Sequence, residues 1–89
     1  MKAVVTVVGK DKMGIIAKVS GALFESGVNI QDLSQTIMQD MFTMIMLVDL
    51  DGSKKNVEAL TKELEELGEA MGLSIHVQRK ELFDSMHRI

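Results

Sequence analysis

Gly14 follows a charged loop, Lys10-Asp11-Lys12, and opens an apolar, helically spaced run that begins at Ile15. A glycine at a helix start leaves first-turn N–H groups open, and such groups bind a carboxylate or a phosphate. Further along, past Gly27, Asn29-Ile30 starts another strand-like run. The residues outside this segment offer little chemistry. There is no cysteine, so thiol catalysis, thiolate metal sites and disulfides are all excluded. His76 and His87 stand apart from each other and from any carboxylate cluster. No metal-ligand spacing, nucleophile–base pair or carboxylate pair is visible. The expectation is a protein that binds without catalysing, with no metal and no cofactor.

The elements that must position these residues follow from hydrophobic period. Residues 3–8 are a β-branched run, read as a buried strand. From Gly14 to Ser26, Ile15/Ile16, Val19 and Ala22/Leu23 recur at helical spacing, and Gly27 fits the left-handed position that ends a helix. Residues 29–38 and 42–50 are two strand-like runs joined through Gln39-Asp40-Met41 as a hairpin. The first is polar and reads as an edge; the second is apolar almost throughout and reads as central, or as one whose outer face meets a partner.

Asp51-Gly52-Ser53 reads as a turn and N-cap for a second helix, with Val57, Leu60, Leu64, Leu67 and Met71 on one face. Gly72 closes that helix, and Leu73, Ile75 and Val77 alternate with polar residues as a last strand. Leu82, Phe83, Met86 and Ile89 have helical spacing in a tail too short to be stable alone. Met38, Met41, Met44 and Met46 form a cluster suited to an adaptable core or a subunit interface.

At 89 residues the chain holds one domain, and packing against another subunit would add substantially to its buried surface. Net charge is −3 and aromatics are limited to Phe24, Phe42 and Phe83, which argues against nucleic acid as a partner. No apolar stretch approaches the roughly 18–20 residues of a membrane span. The opening Met-Lys leads into a strand-like run without the apolar core of a signal peptide. A cytoplasmic protein with no membrane role is expected.

The order βαββαβ plus tail predicts an α+β fold, the ferredoxin-like sandwich. In it a four-stranded antiparallel sheet is covered on one face by both helices, with the first and third strands central. Residues 1–80 form that domain and 81–89 a tail read as an interface element. Three functions of this topology fail on residue type. A copper-chaperone site needs Cys-x-x-Cys, and RNA recognition needs aromatic residues where Val5, Val7, Met44 and Met46 stand. An acylphosphatase-like site needs an arginine in the first loop, whereas the only arginines are Arg79 and Arg88.

Gly9-Lys10-Asp11-Lys12-Met13-Gly14-Ile15-Ile16-Ala17, together with Val28-Asn29-Ile30, resembles the ACT domain over residues 3–80. That family's first loop typically reads D-x-P-G followed by two aliphatic residues, with an asparagine opening the second strand. The Ser34-Gln35-Thr36 strand and Met86-His87-Arg88-Ile89 ending resemble small stand-alone bacterial members. The chain is also similar to the N-terminal module of the glycine cleavage system transcriptional repressor. Met13 stands where many members have proline, so this loop is less rigid.

The resemblance implies a regulatory domain with an amino acid as ligand. Asp11, Met13, Gly14 and Ile15 would form one wall of the site, and Asn29 and Ile30 the other. A helix over 14–26 spans roughly 20 Å, so the two walls lie at opposite ends of one subunit and meet only across two chains. Antiparallel pairing of two 29–38 strands about a two-fold axis would build a homodimer with two equivalent sites. Plainer roles remain open: Gly14 for close helix packing, Asn29 for capping the turn after Gly27, Asp11 as helix N-cap, and Lys10 and Lys12 as solvated charges. The alternative function is a ligand-free dimeric module that docks a protein partner.

Overall fold

The computed structural model describes residues 1–10 and 14–86. Its elements are β1 (Lys2–Gly9), α1 (Ile15–Glu25), β2 (Asn29–Met38), β3 (Met41–Asp49), α2 (Val57–Met71), β4 (Ser74–Arg79) and α3 (Lys80–Met86). The strands form one antiparallel sheet in the order β2-β3-β1-β4, so β1 and β3 are central and β2 is an edge, as the sequence pattern predicts.

The central ladder runs from Lys2 opposite Asp49 to Gly9 opposite Phe42. Alternation along it turns Ala3, Val5 and Val7, with Phe42, Met44, Met46 and Val48, toward the helices, and all are buried. Ile15, Val19 and Leu23 of α1 and Leu60 and Leu64 of α2 close this core. A fully buried side chain of this size contributes roughly 1.5–3 kcal/mol, so the helix-side face carries most of the fold's stability. The methionine cluster divides: Met44 and Met46 are core, while Met38 and Met41 are exposed.

β2 contains a bulge between Ile30 and Asp32. Strict alternation would put Ile30 on one face and Leu33 and Ile37 on the other. One extra residue resets the phase, so Ile30 (opposite Val48), Leu33 (opposite Met46) and Ile37 (opposite Phe42) all lie on the helix side. Every residue from Gln31 to Met38 is nevertheless exposed, because the helices do not extend over this edge.

One local expectation is corrected. The N-cap of α2 is Asn56, whose side chain accepts from the Ala59 N–H at 2.8 Å, not Ser53. The Ser53 hydroxyl instead accepts from the Lys55 N–H and donates to the Lys55 carbonyl, holding the turn ahead of the helix. The C-terminal helix begins directly at the end of β4, at Lys80, and packs against β1 and β4. His87, Arg88 and Ile89 lie outside the described residues.

Gly27 ends α1 with φ +79°, and a Cβ there would approach the Gly52 carbonyl oxygen to 2.5 Å. The Lys54 N–H donates to the Ser26 carbonyl at 2.7 Å, completing the seam between α1 and the β3–α2 loop. Gly72 has φ +72° but open space at the Cβ position. Both Gly27→Ala and Gly72→Ala therefore meet a left-handed penalty of about 1–2 kcal/mol, and Gly27→Ala adds a backbone clash. Urea unfolding is expected to show the larger loss for Gly27→Ala; equal losses would mean that the Gly52 loop yields freely.

Candidate functional site

Gly14 is the N-cap of α1, with φ +76°, a conformation that side chains other than glycine adopt at a cost. Among the described residues no side chain caps this helix end. Gly14 is exposed, a Cβ there would meet nothing within 4 Å, and its carbonyl accepts from the Lys18 N–H at 3.0 Å. The first-turn N–H groups behind it have no partner within the helix. Ile15, next in sequence, is buried in the core and fixes the helix start against β1. Asp11 and Met13, and Lys12 between them, lie outside the described residues; Lys10 is exposed.

At the other end of the subunit, Asn29 is the exposed first residue of β2, opposite Asp49, and half-buried Ile30 pairs with Val48. The structure thus joins Gly14 to Ile15 and Asn29 to Ile30, and keeps the two pairs apart. Gly9, which leads to the Gly14 loop, faces Phe42, whereas Asn29 shares a row with Asp49 and Lys2, at the opposite end of the same strands.

The Asn29 end holds charged groups that the sequence reading did not single out. The N-terminal ammonium of Met1 pairs with Asp51 and lies 4.0 Å from Asp49, and the Asp51 N–H donates to Asp49 at 3.0 Å. The hydrogen bond to Asp51 raises the pKa of the α-amino group, and the same bond holds the Asp51 carboxyl below its ordinary range. Counting back from the hairpin turn would set Asn29 opposite Leu50; only the bulge moves it to Asp49.

A concavity of about 580 Å³ opens at the Gly14 end, lined by Gly9, Lys10, Met41, Met71 and Leu73 among others. It includes none of Gly14, Ile15, Asn29 or Ile30. Lying on the β4 side of the end loops, it is not the site the sequence points to.

The family model for the ACT domain matches residues 2–78, which takes in every strand but the last residue of β4, together with α1 and α2. The chain belongs to the ACT domain family. These domains are generally small-molecule-binding regulatory domains. A UPF0237 protein of Clostridium acetobutylicum is 53% identical over 89 residues, covering all of both chains. A solved ACT domain protein from Streptococcus pneumoniae superposes with TM-score 0.83 at 44% identity, covering 94% of each chain. A solved protein assigned as a glycine cleavage system transcriptional repressor gives TM-score 0.77 at 30% identity, over 89% of this chain and 45% of that one. No helix among the described residues is long and apolar enough to cross a membrane.

The terminal ion pair has a defined pH window. Its raised α-amino pKa makes the contribution complete below the ordinary value of 8.0 and lost as pH rises through the raised one. Its lowered carboxyl pKa makes the contribution complete above the ordinary 3.8 and lost as pH falls through the depressed one. Both groups are exposed, so the effect on stability is small. In Asp51→Asn the α-amino pKa is expected to fall back toward its ordinary value, read by NMR titration of the labelled terminus. An unchanged value would show that Asp49 and Glu81 sustain the shift without Asp51.

Proposed function

We propose that two copies of this chain pair through their β2 edges and bind an amino acid in two equivalent pockets between them. The resulting homodimer is a cytoplasmic regulatory protein without catalytic activity. The observation that carries this reading is the ten-residue β2 edge, whose exposed face overhangs the helices. Leu33 and Ile37, the latter 54% exposed, stand on its helix side, and α1 beside it leaves Phe24 82% exposed and Ile16 exposed. A polar outer backbone with apolar residues above it is what a second strand and a second helix would cover together.

Antiparallel pairing of β2 with its copy brings one subunit's Asn29 toward the other's Met38, the end at which the Gly14 loop lies. Each pocket then has Gly14 and Ile15 on one wall, with Asp11 and Met13 in the same loop, and Asn29 and Ile30 on the other. The helix N–H groups would take the α-carboxylate, and the Asn29 amide would read the carboxylate and ammonium together. The relative named for glycine cleavage supports an amino acid as the ligand class.

Thermal melting with each of the twenty amino acids tests this. A ligand at a hundred times its Kd adds about 2.7 kcal/mol, a rise of roughly 10 °C or more for a domain of this size. Asn29→Ala is expected to remove the rise and leave the dimer intact, while Ile37→Lys removes both. No rise with any of the twenty would favour the ligand-free module that docks a protein partner.

A further inference from the structure

The sheet has a second face, and it is only half covered. Register places Thr6, Ile45 and His76 in one row on the side away from α1 and α2, and Val4, Leu47, Gln78 and Asp32 in the next. α3 lies on this outer face over β1 and β4. Val4 is buried beneath it although it points away from the core, and the Gln78 side-chain amide approaches the Met86 sulfur at 3.5 Å. Phe83 of α3, with Thr6, Ile45, His76 and Gln78, lines a concavity of about 440 Å³ beside the helix.

Over β3 and β2, on this outer face, none of the described helices lies. One half of the face is therefore a ridge, and the other a trough. The ridge exposes Leu82 (52%) and Met86 (63%); the trough exposes Ile45 (38%), with Met41 and Met38 beyond it.

We propose that a second copy of this chain covers the outer face, each α3 seated in the trough over β2 and β3 of the other. A two-fold axis lying in the interface and running along the strands exchanges left and right halves while keeping position along the strand. Ridge meets trough in both directions, which makes the face complementary to itself.

Area decides between whole-face and half-face contact. Four strands at about 4.8 Å spacing and eight residues at about 3.3 Å give roughly 500 Å² per copy, or about 1,000 Å² for the pair. The flanks of two seated helices add to this. Specific interfaces begin near 1,000 Å² in total, so only a partner that fills both halves suffices. This contact is separate from the β2 edge and does not depend on it; with both, four chains assemble.

Light scattering coupled to size-exclusion chromatography tests it on the full chain. Ile45→Lys, Leu82→Lys and Ile37→Lys all alter exposed side chains, with folding checked by circular dichroism. The wild type is expected as four chains, halved by Ile45→Lys and by Leu82→Lys, and halved separately by Ile37→Lys. A two-chain wild type split by Ile45→Lys but not by Ile37→Lys supports the face and removes the edge. A two-chain wild type split only by Ile37→Lys, or any wild-type size that Ile45→Lys and Leu82→Lys leave unchanged, overturns the face contact. In those cases the outer face is left bare or to a different protein.

Discussion

The antiparallel pairing of β1 with β3 is the interaction on which everything else depends. It aligns Val5 with Met46 and Val7 with Met44, and so fixes which side chains face α1 and α2. Because β1 is also the strand that β4 joins, and β3 the one that β2 joins, a one-residue error in this register would turn the core side chains of one pair of strands outward. It also sets the distance between Gly14 and Asn29, since the two ends of the ladder are the two ends of the subunit.

Much of this was legible in the sequence. The β-branched run at 3–8, the apolar run beginning at Phe42 and the stripe from Val57 to Met71 each have one period and one buried face, and they fold accordingly. What was not legible depends on neighbours. Ser53 and Asn56 are both good capping residues, and the choice between them rests on where the loop from β3 lands after Gly52 packs on Gly27. Met38 and Met46 look alike in sequence; their burial differs because Met46 faces the helices and Met38 faces the other side of the sheet. The tail's helical spacing was readable, but which surface it would meet was not.

The candidate site was legible as residue types and only partly as geometry. Gly14 has the conformation that only glycine enters cheaply, which the family motif alone would not establish. Asn29 was readable, but its neighbour Asp49 and the nearby terminal ammonium were not, because an extra residue in β2 shifts the pairing just before Asn29. A two-layer fold with helices on a single side leaves an edge and a face unsealed, and a chain of this size has little surface to leave bare.

The bulge in β2 has one more consequence. It divides the strand into two segments that are phased independently: Asn29 and Ile30 before it, Leu33 to Met38 after it. Losing a single residue there would shorten the chain negligibly yet turn Asn29 from the outer side of the sheet to the helix side, with the rest of the strand unmoved. Length in this strand is thus a form of addressing. It decides to which side of the sheet the Asn29 amide is delivered, independently of what that side chain is.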